Sequence, residues 1–182
     1  MYTVETLSET PWFDLELFLN VSQERRLGGE VLERMENLWE EWLPELSVKT
    51  INTGKIRYLL VSLGEKVEET VDRMWRDSPS TSYLYNALAQ TMCMAAVQDA
   101  VPEIEFAGCA PSPRPTQALR EALEAEGVPY SSETGTVLSR RYAVITYYPF
   151  KGGCEICNLQ KDCPKGQGAG QEASVVLPGY ER

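Results

Sequence analysis

The sequence predicts a single α+β domain, with a mixed or mainly antiparallel sheet flanked by helices and a cysteine-rich loop near the carboxyl end. Three observations carry that reading. Residues 46–51 and 55–63 both have strand composition, and Asn52-Thr53-Gly54 between them supplies a hairpin turn. Other segments carry apolar residues at helical spacing. The strands arrive largely as hairpins and do not alternate one for one with helices, which disfavours a parallel crossover sheet. Tyr58-Leu59-Leu60-Val61 is apolar on both faces, so that strand is expected at the centre of its sheet.

The elements follow in order. Residues 2–7 alternate like a half-buried strand. Thr10 before Pro11 gives a helix start with Thr10 as cap, and Trp12, Phe13, Leu15, Leu17, Phe18 and Leu19 fill one or two buried turns. After Gly28-Gly29, the residues Val31, Leu32, Met35, Leu38, Trp39 and Trp42 recur at helical spacing, with glutamates on the other side and Pro44 at the end. Past the hairpin, Gly64 opens a helix over 65–76 whose acidic first turns suit the positive end of the helix dipole. Ser80 or Thr81 is the expected cap of a long, alanine-rich helix reaching about residue 100. Ile104-Glu105-Phe106 reads as a short strand, and 108–115 as a rigid, open loop. A helix over 116–125 then ends at Gly127. Residues 137–150 supply the last strand, whole or broken near Ser139. Domain limits follow: 1–150 for the α+β domain, 151–164 for the cysteine loop, and 165–182 for a glycine-rich, flexible tail.

Composition narrows the function classes. The chain has 182 residues, a net charge of −10 and 43% hydrophobic residues, enough for one domain with an ordinary core. That charge disfavours nucleic acid and anionic membrane as partners. No apolar run approaches the roughly 20 residues that span a bilayer. The N-terminus carries no signal-peptide pattern, so the expected location is the cytoplasm. Histidine is absent, which removes Ser-His-Asp and Cys-His catalysis and histidine-ligated zinc. Of five cysteines, three fall within ten residues, a clustering that a shared metal explains better than a disulfide framework.

The chemistry is concentrated in 147–164. Gly152-Gly153 release the backbone so that amides and sulfurs can face one centre. Cys154, Cys157 and Cys163 follow at spacings of two and five intervening residues, and Pro164 stops regular structure. A 4Fe–4S iron–sulfur cluster is the favoured occupant, since three thiols ending in Cys-Pro echo ferredoxin-type loops, although the spacing of five differs. Zinc is the alternative, completed by Cys109, Cys93 or Asp162; unmetallated thiols are the third reading. Cys93, inside a helical apolar pattern, is expected in the core. Cys109 lies in a loop stiffened by three prolines and is a candidate fourth ligand, the alternatives for a cluster being an oxygen ligand or an exogenous molecule. Ser112 and Arg114 of that loop, with Tyr147, Tyr148 and Lys151, are the candidate ligand-binding residues. The tyrosines suit a planar ligand, and Lys151 with Arg140-Arg141 suits an anion or the thiolate charge.

Several segments together resemble the reactivation domain of cobalamin-dependent methionine synthase, in the stand-alone form of anaerobes. They are Leu63-Gly64-Glu65-Lys66-Val67-Glu68-Glu69, Tyr83-Leu84-Tyr85-Asn86-Ala87-Leu88-Ala89, Pro111-Ser112-Pro113 with the helix after it, and the ending Cys154-x-x-Cys157 with Cys163. The resemblance covers about 55–164. It implies an accessory protein of corrinoid or one-carbon metabolism, acting on a corrinoid protein or methyltransferase and supporting its reductive reactivation. The family's S-adenosylmethionine motif, Arg-x-x-x-Gly-Tyr, is not matched by Phe106-Ala107-Gly108-Cys109-Ala110-Pro111-Ser112-Pro113-Arg114, which puts S-adenosylmethionine binding in question. Without histidine, the chain has no imidazole to serve as a lower corrinoid ligand. The reading of another class is a non-catalytic protein that binds a small molecule or partner beside the Cys109 loop, its cysteine loop being a zinc staple.

Overall fold

A computed structural model describes residues 2–161 and 163; the tail expected over 165–182, with Asp162 and Pro164, lies outside the described residues. Four strands, β1 (Thr3–Thr6), β2 (Leu46–Asn52), β3 (Arg57–Leu63) and β4 (Ala143–Tyr147), form a sheet in the order β1-β2-β3-β4. Every pairing is antiparallel, with Val48 opposite Val61 and Leu60 opposite Ile145. Between β1 and β2 lie helices α1 (Leu15–Ser22) and α2 (Gly29–Trp42). Between β3 and β4 lie α3 (Glu65–Asp77), α4 (Pro79–Ala100), α5 (Glu103–Ala107) and α6 (Gln117–Ala125).

Helices cover both faces of the sheet, which is why β3 needs no polar alternation. Leu59, Val61 and Leu63 join one core with Phe18, Trp39 and Trp42 and with residues of α3, α4 and α5. Tyr58 and Leu60 join a second core with Leu119, Ala122 and Leu123 of α6. Each large apolar side chain so buried stabilises the fold by roughly 1.5–3 kcal/mol. The spine of the first core is α4, whose Ala87, Ala89 and Ala96 are buried and let α1, α3 and β3 approach closely. Cys93 is buried on this helix, as its helical spacing implied, and burial pushes its thiol up to about 12. Lys49 pairs with Glu126, joining β2 to the end of α6. Among the described residues, no helix is long and apolar enough to cross a membrane.

Four local expectations change. The first helix begins at Leu15, because Asp14 caps it by accepting from the Leu17 amide at 3.0 Å. Pro11 stays ahead of the helix, and its carbonyl accepts from Trp39 Nε1 at 3.2 Å. The long helix begins at Pro79 behind Ser78, so proline takes its favoured first-turn position one residue before the expected cap. Residues 104–106 are helical, not extended: α5 follows Pro102, and Ile104 is buried while Phe106 faces solvent. The last strand is confined to Ala143–Tyr147, since Leu138 makes only an isolated bridge to Tyr130 and bends follow it.

Candidate cysteine centre

The edge strand β4 positions the site. Thr146, buried on β4, donates its hydroxyl to the Pro111 carbonyl at 3.0 Å and ties the proline loop to the sheet. That loop begins at Gly108, which caps α5 at φ 68°, a left-handed conformation that glycine adopts without strain. The cysteine loop then fastens onto Ser112. The Asn158 amide donates to the Ser112 carbonyl at 2.8 Å, and the Ser112 amide donates to Cys157 Sγ at 3.4 Å.

Cys154 opens a 3-10 turn, Cys154–Ile156, closed by the Cys157 amide on the Cys154 carbonyl at 3.2 Å. Ahead of it, Gly152 has φ 135°, and a Cβ there would collide with the Glu155 carboxylate. That carboxylate accepts from the Gly153 amide at 2.9 Å, so Glu155 is folded back over the two glycines. A side chain at position 152 would strain the backbone at this φ and push the Glu155 carboxylate aside.

These contacts bring Cys109, Cys154, Cys157 and Cys163 around one small cavity, with Ala107 and Pro111 completing the wall on the proline-loop side. Cys109 and Cys154 are exposed, while Cys157 and Cys163 are half-buried. The expected fourth cysteine thus joins the other three. The four residues line a space, yet among the described residues no three His, Cys, Asp or Glu side chains are arranged to hold one metal ion. A tetrahedral zinc needs its donors within about 2.0–2.3 Å of one centre. The space itself is about 30 Å³, roughly the room of one or two waters, so a cluster fits only if the walls move outward.

The remaining candidates are placed differently. Ser112 joins the two loops through its backbone. Arg114 is exposed and does not border the cysteine cavity, nor does the exposed Lys151. Tyr147 stacks obliquely on Tyr58, with ring centroids 5.9 Å apart in the α6 core, whereas Tyr148 packs against the opposite core. Successive residues on a strand face opposite ways, so the two tyrosines do not build one planar-ligand pocket. Arg140 pairs with Glu65 at 2.9 Å and Arg141 with Asp72 at 2.7 Å, which commits both to α3. The Arg141 hydrogen bond holds the Asp72 carboxyl below its ordinary value.

A second cavity, of about 200 Å³, borders the Cys109 loop, where the alternative reading places a small-molecule cleft, but the residues of α4, α5 and β4 that line it were not among the sequence candidates. Met94, Val97 and Gln98 of α4, Ile104 of α5 and Val144 of β4 line it, together with Gly108, Cys109 and Ala110. The helical spacing of Met94, Val97 and Gln98 was the available signal, but only the packing of α5 and β4 turns that face into a cavity.

Compared with known proteins, the chain matches no protein-family model and no curated sequence.

Proposed function

We propose that this chain is an accessory protein of corrinoid or one-carbon metabolism that carries a cysteine-ligated iron–sulfur centre and supports reductive reactivation of a corrinoid methyltransferase. The single observation that carries the metal part is the convergence of four cysteines, from two loops far apart in sequence, on one cavity. Four cysteines around one space, with no three donors arranged for a single ion among the described residues, suit a 4Fe–4S cluster, where each thiolate has its own iron, better than a mononuclear zinc. Cys109, Cys154, Cys157 and Cys163 would hold it, and the Ser112 amide would stabilise the Cys157 thiolate. Such a cluster supplies one-electron transfer when bound. The chain's own contribution is to fix the cysteine loop, to tie the Glu155 carboxylate to the Gly153 amide, and to leave Cys109 and Cys154 exposed. Phe106, next to the cavity-lining Ala107, is 89% exposed and offers an apolar contact beside the centre. The corrinoid assignment itself rests on the sequence resemblance.

Anaerobic purification with iron, sulfide and zinc analysis tests the reading. Iron and acid-labile sulfide in equal amounts, with a visible absorption that dithionite bleaches, is the expected result. Colourless protein holding stoichiometric zinc would overturn it.

A further inference from the structure

We propose that the 200 Å³ cavity behind the proline loop is a binding pocket for a small, neutral, apolar molecule, and that its occupant is sensed at the cysteine centre through Cys109. Size and lining define the ligand. An engineered apolar cavity of about 150 Å³ in another protein suffices for benzene or xenon. Met94, Val97, Ile104 and Val144 supply apolar walls, and among the described residues Gln98 and Cys109 are the polar ones in the lining. Among the described residues, no charged side chain lines the space, so an ionic ligand would lose its hydration without gaining a partner from them. A neutral body of about ring size, with at most one polar end for Gln98, matches it.

The coupling follows from how thin the partition is. Gly108 and Ala110 line the apolar cavity, Ala107 and Pro111 line the cysteine cavity, and Cys109 lines both. A molecule in the pocket therefore packs against Cys109, the residue that both cavities share, and changes the surroundings of its thiol. The pocket stands without any metal; only its link to metal loading rests on the iron–sulfur reading. If both hold, occupant and metal must change each other's affinity by the same factor.

The test uses the full chain without metal and fluorobenzene as probe. Fluorine NMR should show saturable binding that is lost in Ala110→Phe, which fills the cavity from the loop. It should be lost independently in Met94→Trp, at a rim position that is 40% exposed and tolerant of a larger side chain. Circular dichroism establishes that each variant is folded, and the folded one decides. With fluorobenzene at ten times its dissociation constant, alkylation of Cys109 by N-ethylmaleimide should slow about tenfold, while Cys154 is unaffected. Absence of saturable binding, or binding that a folded variant keeps, overturns the pocket. Equal rates at Cys109 with and without probe, or equal slowing at Cys109 and Cys154, overturns the coupling. Because no metal is present, neither outcome depends on the metal analysis above.

Discussion

Ser112 donates its backbone N–H to the sulfur of Cys157, 3.4 Å away and 45 residues along the chain, while its carbonyl accepts from Asn158 at 2.8 Å. One backbone unit thus fastens the proline loop to the cysteine loop. An N–H aimed at a ligating sulfur supports and tunes any metal that the sulfur holds. Ser112→Pro removes that donor but keeps the carbonyl and all four cysteines. It should weaken metal retention about 10- to 100-fold in a chelator competition, the usual cost of losing a supporting hydrogen bond. Ser112→Ala keeps the amide and should behave as wild type; equal retention in the two variants would show that the amide is not what matters.

The cysteines separate into two chemical sets. Cys109, Cys154, Cys157 and Cys163 line the cavity, whereas Cys93 is buried in α4 with its thiol pushed up to about 12. Cys157→Ala should abolish metal binding and leave the far-ultraviolet circular dichroism unchanged, because its loop lies outside both cores. Cys93→Ala should retain full metal content and lose on the order of 1 kcal/mol of stability through a small cavity. In the native state Cys93 should resist alkylation that the exposed Cys154 undergoes. Loss of metal in Cys93→Ala, with retention in Cys157→Ala, would reverse the assignment.

The Asp72–Arg141 pair sets a pH dependence with a definite sign. Arg141 lowers the Asp72 carboxyl from its ordinary 3.8. A carboxyl lowered in the folded state contributes stability that is present above its unfolded value and is lost as pH falls through the folded one. Asp72→Asn should therefore be less stable than wild type above about pH 4 and converge with it in more acidic solution. The pair is well exposed, with 53% and 42% of the two side chains accessible, so the difference should be small and should shrink with added salt. Urea titrations from acidic to neutral pH at two salt concentrations measure it, and a gap that widens toward low pH would contradict the assigned sign.

How much of this was legible depends on whether the signal was local. The β2–β3 hairpin was readable because Asn52 accepts from the Gly54 amide within the turn itself, and two apolar strands flank it. The α2 stripe of Met35, Leu38, Trp39 and Trp42 was readable for the same reason. Residues 104–106 misled because apolar Ile104 and Phe106 alternate around Glu105 as on a strand, while α5 is set by what flanks it, the turn at Pro102 and the left-handed Gly108. Thr10-Pro11 and Asp14 are two competing local start signals, and the chain uses Asp14, with the Pro11 carbonyl accepting from Trp39 instead. In the site, spacing made Cys154, Cys157 and Cys163 obvious. Cys109 was only one of several possible partners, because its place depends on long-range bonds from Thr146 and Asn158 to the proline loop. Arg140 and Arg141 looked available to an anion because their partners, Glu65 and Asp72, lie on a helix distant in sequence.

Thr146 is where the sheet and the site are joined, and it gives the clearest test of that dependence. Its side chain is buried on the edge strand, and its hydroxyl donates to the carbonyl of Pro111 at 3.0 Å. Thr146→Val keeps the β-branched shape that suits a strand but removes the hydroxyl, leaving the Pro111 carbonyl without this donor. An unsatisfied buried acceptor costs about 1–3 kcal/mol, to be seen as a lower urea midpoint at unchanged slope. Pro111 also lines the cysteine cavity, so loosening it should speed metal release and increase alkylation of Cys109 in the same variant. A variant that loses stability yet keeps wild-type metal retention and Cys109 reactivity would show that Cys109 is positioned without the sheet, by the Ser112 bonds alone.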